Sequence, residues 1–237
     1  MASDGRRHVF ASGGSLSREG IPSVVTAMLD QTGVERPRLC FVPTADETDL
    51  TFIARVQRLL AGSAVAVSDL RLFPMPNVED PAELLLSSDA IFVGGGSTAN
   101  MLAIWRVHGI DGLLRRAWEN GVVLGGWSAG AICWFEGGLT DSFGPALAAL
   151  LDGLGILAGS YCPHYDEVPR RARFHEVIAS GALPAGLACE NGVTAHFVDS
   201  DLAEVLSEAG GARAWRVRRD AGGGAVEESI ETRPFGC

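Results

Sequence analysis

The sequence predicts an α/β fold with a mostly parallel central sheet flanked by helices, and two patterns carry this prediction. Short apolar runs, typical of strands that are buried on both faces, recur from the N-terminus to about residue 190. Longer stretches, whose apolar residues recur every three or four positions, separate several of them, as expected of helices that cover a sheet. Since a helical crossover returns the chain to the same end of the sheet, strands joined in this way run parallel.

The predicted elements alternate along the chain. The apolar runs predict buried strands at His8–Ser12, Arg38–Pro43, Ala64–Leu70, Ala90–Val93, Val122–Gly125, Gly159–Cys162 and Leu187–Cys189. Helical spacing of apolar residues predicts helices at Ser17–Gln31, Thr48–Leu60, Thr98–His108, Asp111–Asn120 and Arg170–Ala179. The tail predicts short antiparallel strands around Trp215–Arg218 and Ser229–Thr232. No linker-like segment interrupts this order, so we expect residues 1–237 to form a single domain.

Composition and charge narrow the classes of function. The net charge of −10 and the pI of about 4.9 argue against a nucleic-acid-binding protein, because such proteins present a basic face. No segment approaches the ~20 apolar residues of a membrane span, and the N-terminus lacks the apolar core of a signal peptide. The five cysteines are widely spaced, unlike those of a disulfide framework or a zinc site. We expect a cytoplasmic protein whose partners are small molecules or proteins.

The strongest chemical signal lies after the fifth predicted strand. There the chain runs into Gly126–Gly130, whose sequence GWSAG is a G-x-S-x-G pattern. A serine on a sharp turn between strand and helix has a strained backbone, and glycines two residues before and after it remove Cβ atoms that would clash. The turn exposes the hydroxyl group and directs the N–H of Ala129 towards a developing oxyanion. Ser128 is therefore the candidate nucleophile.

A serine nucleophile needs a base, and His164 is the favoured candidate. It follows a predicted buried strand directly, at the sheet edge where the Ser128 turn also emerges. In open α/β sheets, ligands bind beyond the carboxyl ends of the strands. The other four histidines occupy strand starts, helices or a late apolar stretch, where we expect structural roles: His8, His108, His175 and His196.

The third catalytic group is expected to be a carboxylate that accepts a hydrogen bond from the second imidazole nitrogen. Two candidates remain open. Glu190 ends a predicted strand of its own, on the same sheet edge as His164, and is preferred on that ground. Asp141 lies in the loop that we expect after the elbow helix, where it would line the pocket whether or not it contacts His164.

Glycines after the fourth predicted strand suggest the second oxyanion donor. Gly94–Gly96 lie between Val93 and a predicted helix, and glycine lets the backbone approach a substrate closely. We expect the N–H of Gly95 or Gly96 to act beside that of Ala129. A phosphate-binding loop is the rival interpretation, but the segment lacks both the Lys-Ser/Thr pair of a P-loop and the spacing of a dinucleotide fingerprint.

Together these segments resemble peptidase E, the aspartyl dipeptidase family that also includes the cyanophycinases. The resemblance extends from about Val9 to Val217 and rests on the motifs VGGGST (residues 93–98), GWSAGA (126–131), TD (140–141), PH (163–164) and ENG (190–192). It implies a glutamine-amidotransferase-like three-layer sandwich and a serine peptidase that needs no metal or organic cofactor. It also implies that Ser128 acts with His164, and it matches the family's glutamate to Glu190 and its aspartate to Asp141.

The resemblance further implies dipeptide substrates with an N-terminal aspartate. Arg170 and Arg173 match the family's R-x-x-R pattern, and a guanidinium suits an aspartyl carboxylate because it can form two parallel hydrogen bonds. Asp141 is expected near the free amine of the substrate. The segment between His164 and these arginines is shorter than in aspartate-specific members, so the specificity stays open.

Several alternatives remain open at this point. The enzyme could be an esterase or amidase that acts on another small acyl compound, or the domain could bind a ligand without catalysis. A metal site formed by His164, Asp166, Glu167 and His175 is a further rival, although their spacing matches no common metal motif. The sequence does not indicate the oligomeric state, and a homodimer remains an open alternative.

Overall fold

The computed structural model of the chain describes residues 5–14, 21–46 and 50–236. Its helices are α1 (Ser23–Thr32), α2 (Leu50–Leu60), α3 (Pro81–Leu86), α4 (Thr98–His108), α5 (Ile110–Glu119), α6 (Ala129–Ile132) and α7 (Val168–Ala179). Its strands are β1 (His8–Ser12), β2 (Arg38–Val42), β3 (Ala66–Asp69), β4 (Ala90–Val93), β5 (Val123–Trp127), β6 (Phe135–Thr140), β7 (Ala148–Leu150), β8 (Leu157–Cys162), β9 (Gly186–Cys189), β10 (Val193–Val198), β11 (Asp201–Ser207), β12 (Ala214–Arg219), β13 (Ala225–Ile230) and β14 (Arg233–Pro234).

The larger sheet is the mostly parallel sheet that the sequence predicts. Its strand order is β14-β11-β10-β1-β5-β4-β2-β3, and the five strands from β1 to β3 in this order run parallel. The hairpin of β10 and β11 extends the sheet antiparallel to β1. The predicted α/β class is thus confirmed. The predicted starts of α1 and α2, at residues 17 and 48, lie outside the described residues.

A second sheet lies beside the first, in the order β13-β12-β9-β8-β6-β7. Strands β6, β8 and β9 run parallel, whereas β7, β12 and β13 pair antiparallel. Two of the predicted buried strands, β8 and β9, belong to this sheet. It begins at β6, which follows the single turn of α6 almost at once and which the sequence analysis did not identify.

Alternating burial explains how the sheets and helices pack. Along β2, Leu39 and Phe41 pack on one face against α1 and α2, whereas Cys40 and Val42 face the other way. That inner face forms one apolar core with α4, α5, α6 and the second sheet. Helix α7 covers the outer face of the second sheet, where Phe174 and Val177 are buried.

This arrangement places the carboxyl ends of both parallel groups of strands together. Ser128 follows β5 of the first sheet, whereas His164 follows β8 of the second. A hydrogen bond connects the two sheets at this level. The backbone N–H of His164 donates to the carbonyl oxygen of Gly13, after β1, at 3.0 Å. A cleft between two sheets therefore replaces the single sheet edge that the sequence suggests.

The described cysteines are buried, as expected of thiols that pack in the core. Cys40, Cys133, Cys162 and Cys189 are buried and unpaired, and Cys237 lies outside the described residues. Burial raises the pKa of Cys40 and of Cys189 to about 12, which keeps both thiols protonated.

Among the described helices, none has the length and apolarity needed to cross a membrane.

Candidate active site

Ser128 occupies the strained turn that its sequence context predicts. It lies between β5 and α6 with φ of 53° and ψ of −114°, a conformation that costs energy for a residue with a side chain. The flanking glycines are required by packing. A Cβ on Gly126 would lie 2.6 Å from the carbonyl oxygen of Val93, and one on Gly130 would overlap the same oxygen. The turn therefore depends on both glycines of the motif.

His164 lies within hydrogen-bond distance of the serine. Its Nε2 is 2.9 Å from the Oγ of Ser128, although the two residues follow strands of different sheets. The backbone of His164 is also in the left-handed region, with φ of 52°, and is held by the hydrogen bond to Gly13. The pair has the geometry of a serine nucleophile and its general base.

The second imidazole nitrogen contacts an asparagine. Nδ1 of His164 is 2.7 Å from Oδ1 of Asn191, which lies in the short turn between β9 and β10. The amide of Asn191 in turn donates from Nδ2 to both oxygens of Asp166, at 3.1 and 3.0 Å, and its backbone N–H donates to Oδ1 of Asp166 at 2.8 Å. The structure thus forms a chain of four groups, Ser128, His164, Asn191 and Asp166.

The contact with Asp166 selects the tautomer of the neutral histidine. A carboxylate only accepts hydrogen bonds, so the NH2 group of Asn191 must face it and Oδ1 must face the imidazole. Oδ1 then accepts from Nδ1–H of His164, which leaves Nε2 with the lone pair that the hydroxyl of Ser128 requires. Partial burial acts to raise the pKa of Asp166, but hydrogen bonds from Asn191 outweigh it and hold the pKa below its ordinary value.

Gly14 closes the site over the histidine and the asparagine. Its φ of +150° disfavours other residues, and a Cβ there would overlap Oδ1 of Asn191 and lie 2.8 Å from Cε1 of His164. The backbone also connects the two segments, since the N–H of Gly192 donates to the carbonyl oxygen of Gly14 at 2.7 Å. No role for this glycine is predicted from the sequence.

Glu190, the preferred third group from the sequence, has other partners in this structure. Its Oε1 accepts from Nε1 of Trp215 at 3.0 Å, and its Oε2 accepts from the backbone N–H of Arg213 at 2.9 Å. Consecutive residues at the end of a strand point in opposite directions, so Glu190 faces β12 when Asn191 faces His164. We therefore replace Glu190 by Asn191 as the neighbour of the histidine. An asparagine in this place is not predicted from the sequence, because a triad is expected to contain a carboxylate.

Asp141 contacts Arg170 instead of the histidine. It follows β6, not the elbow helix as expected, and its Oδ2 accepts from Nη2 of Arg170 at 3.0 Å. Arg170 also donates from Nε to Glu167 at 3.2 Å. The second expected arginine, Arg173, donates to the carbonyl oxygen of Leu147 at 3.2 Å and to Glu176 at 2.7 Å. Both arginines are thus engaged by acceptors of the protein itself.

The oxyanion donors expected from the sequence lie on two sides of the serine. The N–H of Ala129 begins α6, and within the described part of the chain it donates to no acceptor. Gly95 lies directly against the serine, since a Cβ on it would be 3.4 Å from Cβ of Ser128. Gly96 instead packs on the carbonyl group of Ala45, where any Cβ would overlap it. Gly95 is therefore better placed than Gly96 to contact a ligand on Ser128.

Each of the four groups of the rival metal site contacts another residue of the protein. His164 and Asp166 contact Asn191, Glu167 contacts Arg170, and His175 contacts Glu227 at 2.9 Å. Among the described residues, no group of three or more histidine, cysteine or acidic side chains could hold a metal ion. The geometry of the site is that of proton transfer to and from a serine.

A polar network supports the histidine loop from behind. The hydroxyl of Tyr165, the residue after His164, donates to Oε2 of Glu227 on β13 at 2.6 Å, and His175 and Arg171 of α7 bind the same carboxylate. Burial acts to raise the pKa of Glu227, but the hydrogen bonds from Arg171, Tyr165 and His175 outweigh it and lower the pKa. The network joins α7, β13 and the loop that carries the base.

Comparisons with known proteins agree with this geometry. Residues 9–205 match the model of peptidase family S51. The uncharacterised peptidase YgaJ of Bacillus subtilis (strain 168) is 44% identical over 191 residues, which cover 80% of this chain and 82% of YgaJ. Peptidase E of Shewanella denitrificans is 28% identical over 115 residues, which cover 48% of this chain and 47% of that enzyme.

Solved structures share the fold at low sequence identity. A peptidase from an acI-B1 actinobacterium has a TM-score of 0.65 and 14% identity, with 95% of this chain and 97% of that chain covered. A putative peptidase E protein from Listeria monocytogenes EGD-e has a TM-score of 0.55 and 16% identity, with 95% and 100% covered. Since the family model spans most of the chain and YgaJ is a close relative over four-fifths of it, this chain is a peptidase and belongs to peptidase family S51.

Proposed function

We propose that this peptidase hydrolyses short peptides, dipeptides above all, through an acyl-enzyme on Ser128. The observation that carries the proposal is the 2.9 Å contact between Oγ of Ser128 and Nε2 of His164, made by a serine in a strained turn. A structural serine would have no reason to hold this backbone conformation next to a base. The membership of family S51 supports the peptidase part of the proposal.

In the first half of the reaction, Nε2 of His164 removes the hydroxyl proton as Oγ of Ser128 attacks the scissile carbonyl carbon. The carbonyl oxygen becomes negatively charged, and the N–H groups of Ala129 and Gly95 stabilise it by hydrogen bonds. The imidazolium then gives its proton to the leaving amine as the C–N bond breaks. The second amino acid leaves, and the first remains as an ester on Ser128.

In the second half, a water molecule replaces the leaving group. Nε2 of His164 removes a proton from this water as its oxygen attacks the ester carbonyl. The same two N–H groups stabilise the second oxyanion. Collapse of the intermediate breaks the C–O bond to Ser128, and the proton returns to the serine oxygen. The products are two amino acids and the free enzyme, so no metal or organic cofactor enters the reaction as proposed.

Asn191 and Asp166 act on His164 as positioning residues in this proposal. An amide oriented in this way holds the imidazole in the tautomer that accepts the serine proton, as an asparagine does in papain-like cysteine proteases. The charge of Asp166 lies one residue further away than in a Ser-His-Asp triad. It stabilises the imidazolium through the polarised amide of Asn191 rather than by direct contact.

Asp141 is proposed to bind the free amine of the substrate. Its side chain is 55% exposed, and only one of its two oxygens accepts a hydrogen bond from the described residues, so the other can accept from an ammonium group. Such a contact would restrict the enzyme to substrates with a free N-terminus close to the scissile bond. An N-terminal aspartate would also need a free cation. The guanidinium groups of Arg170 and Arg173 both already donate to acceptors of the protein.

The proposal is tested by labelling and hydrolysis with matched serine variants. A fluorophosphonate probe should label the wild-type chain and Ser200→Ala, which removes an exposed hydroxyl in a turn far from the site, but should not label Ser128→Ala. Hydrolysis of a panel of dipeptides should fall by at least ~1,000-fold in Ser128→Ala and stay unchanged in Ser200→Ala. Labelling of Ser128→Ala, or more than a few per cent residual hydrolysis, would contradict the proposed nucleophile.

A further inference from the structure

The charge balance around Arg170 bears on which substrates the site accepts. Its guanidinium is 10% exposed and is held by Asp141 on one side and Glu167 on the other. One cation and two carboxylates give this group of three side chains a net charge of −1. A buried guanidinium that is already paired twice has no remaining charge to offer to a substrate carboxylate.

This acidic group lies at the reacting end of the cleft. Strands β6 and β8 are parallel neighbours in which Gly138 is paired with Tyr161, and Asp141 and His164 each lie three residues beyond that pair. On its other side the loop after β6 reaches the oxyanion segment, because Oγ of Ser142 accepts from the backbone N–H of Ala99 at 3.3 Å. Asp141 is thus placed between the segment that carries the base and the segment that follows Gly95.

The second arginine of the R-x-x-R pattern, Arg173, does not restore a positive charge. Arg173 forms an ion pair with Glu176 at 2.7 Å and donates its Nε to the backbone of the loop before β7. Glu176 is exposed, and it balances the charge of Arg173 one to one. The two arginines of the R-x-x-R pattern therefore offer no net positive charge to the substrate's N-terminal residue.

We propose that the site selects dipeptides whose N-terminal side chain is uncharged and disfavours an N-terminal aspartate. The inference rests on the proposed peptidase function. In it, the substrate ammonium group binds the free oxygen of Asp141, which complements the net negative charge. A side-chain carboxylate two bonds from the same α-carbon would instead approach that charge without a free cation to compensate it, and like charges repel.

The sharpest test compares Asn-Leu with Asp-Leu, which have the same shape and differ by one charge. For the wild-type enzyme at neutral pH, kcat/KM for Asn-Leu should exceed that for Asp-Leu by about tenfold or more. Ala-Leu should also be cleaved faster than Asp-Leu, because the preference follows charge rather than an amide contact. Equal or faster cleavage of Asp-Leu would overturn the inference.

A binding measurement separates this inference from the proposed chemistry. Calorimetry with Ser128→Ala, which cannot form the acyl-enzyme, should give a lower Kd for Asn-Leu than for Asp-Leu, again by about tenfold. If this preference appears while the wild-type chain hydrolyses neither peptide, the proposed function fails and the selectivity stands. Equal binding, tighter binding of Asp-Leu, or no binding of either peptide overturns the selectivity.

Two matched glutamate variants test the origin of the preference. Glu167→Gln removes one of the two carboxylates on Arg170 and brings the net charge of the group to zero, so the ratio between Asn-Leu and Asp-Leu should fall by at least about threefold. Glu176→Gln makes the same change on the exposed partner of Arg173 and should leave the ratio unchanged. An unchanged ratio in Glu167→Gln, or an equal fall in both variants, would show that the group around Arg170 is not the cause.

Discussion

Oδ1 of Asn191 lies 2.7 Å from Nδ1 of His164, in the position where a serine peptidase usually has a carboxylate. The asparagine is itself fixed by Asp166, whose two oxygens accept from its amide. The negative charge that stabilises the imidazolium is therefore present in the site but is displaced by one side chain. Variants of Asn191 and Asp166 can therefore distinguish two roles: orienting the imidazole of His164 and stabilising its positive charge.

Asn191→Ala tests the orienting contact. Without Oδ1, the imidazole of His164 can rotate and take the tautomer with the proton on Nε2, which cannot accept the serine proton. We expect kcat to fall by about a hundredfold or more with little change in KM, since the substrate contacts remain. Asn120→Ala, at the exposed end of α5, is the control and should keep wild-type kinetics. A kcat for Asn191→Ala within twofold of wild type would remove Asn191 from the mechanism.

Exchanging the amide and the carboxylate tests the role of Asp166. Asn191→Asp alone places two carboxylates about 3 Å apart, where they repel and share a proton, so activity should fall at neutral pH and recover in part towards acid pH. The double variant Asn191→Asp with Asp166→Asn restores one amide and one carboxylate, now with the charge next to His164. It should be more active at neutral pH than Asn191→Asp alone. Equal activity of the two variants would show that the charge of Asp166 is irrelevant to catalysis.

Glu190→Gln separates the structural expectation from the sequence-based one. Both oxygens of Glu190 accept from neutral donors of β12 and the loop before it, and a glutamine can keep one of these contacts. We expect kcat and KM to stay within about threefold of wild type and the free energy of unfolding to fall by ~1 kcal/mol. A steep loss of kcat at constant KM would indicate that Glu190 acts on His164 and would contradict the observed contacts.

The sequence predicts the nucleophile turn well because its constraints are local. Gly126, Ser128 and Gly130 are close in the chain, and each contributes a backbone or packing requirement that glycine or serine alone satisfies. The parallel strands are predicted equally well, since burial on both faces leaves a continuous apolar run. The bounds of β1 and β4 agree with the structure to the residue.

The partner of the histidine could not be predicted in this way, because it depends on long-range register. Whether Glu190 or Asn191 faces His164 is decided by where β9 ends and by how β10 returns to the other sheet. The contact of Arg170 with Asp141 depends likewise on the pairing of β6 with β8. Since β6 is not predicted from the sequence, neither the second sheet nor this ion pair could be predicted.

The network behind His164 leads to a prediction about stability against pH. The pKa of Glu227 is lowered in the folded chain, so ionised Glu227 stabilises the fold at any pH above its unfolded value of about 4.5. As the pH falls below that value and through the lower folded pKa, the carboxylate is protonated and the stabilisation is lost. Glu227→Gln should therefore be less stable than wild type at pH 7, by ~1–3 kcal/mol in denaturant unfolding, because the hydrogen bonds of Arg171, Tyr165 and His175 lose a charged acceptor.

The comparison with a neighbouring residue makes this prediction specific. Glu228→Gln changes the next residue of β13, whose side chain is exposed on the opposite face and forms no ion pair with the described residues. We expect it to unfold like the wild type at pH 7. The stability difference between Glu227→Gln and wild type should shrink as the pH is lowered below about 4, because the wild type then loses the charge that the variant never had. A difference that stays constant from pH 7 to pH 3 would mean that packing, rather than the ionised carboxylate, accounts for the contribution of Glu227.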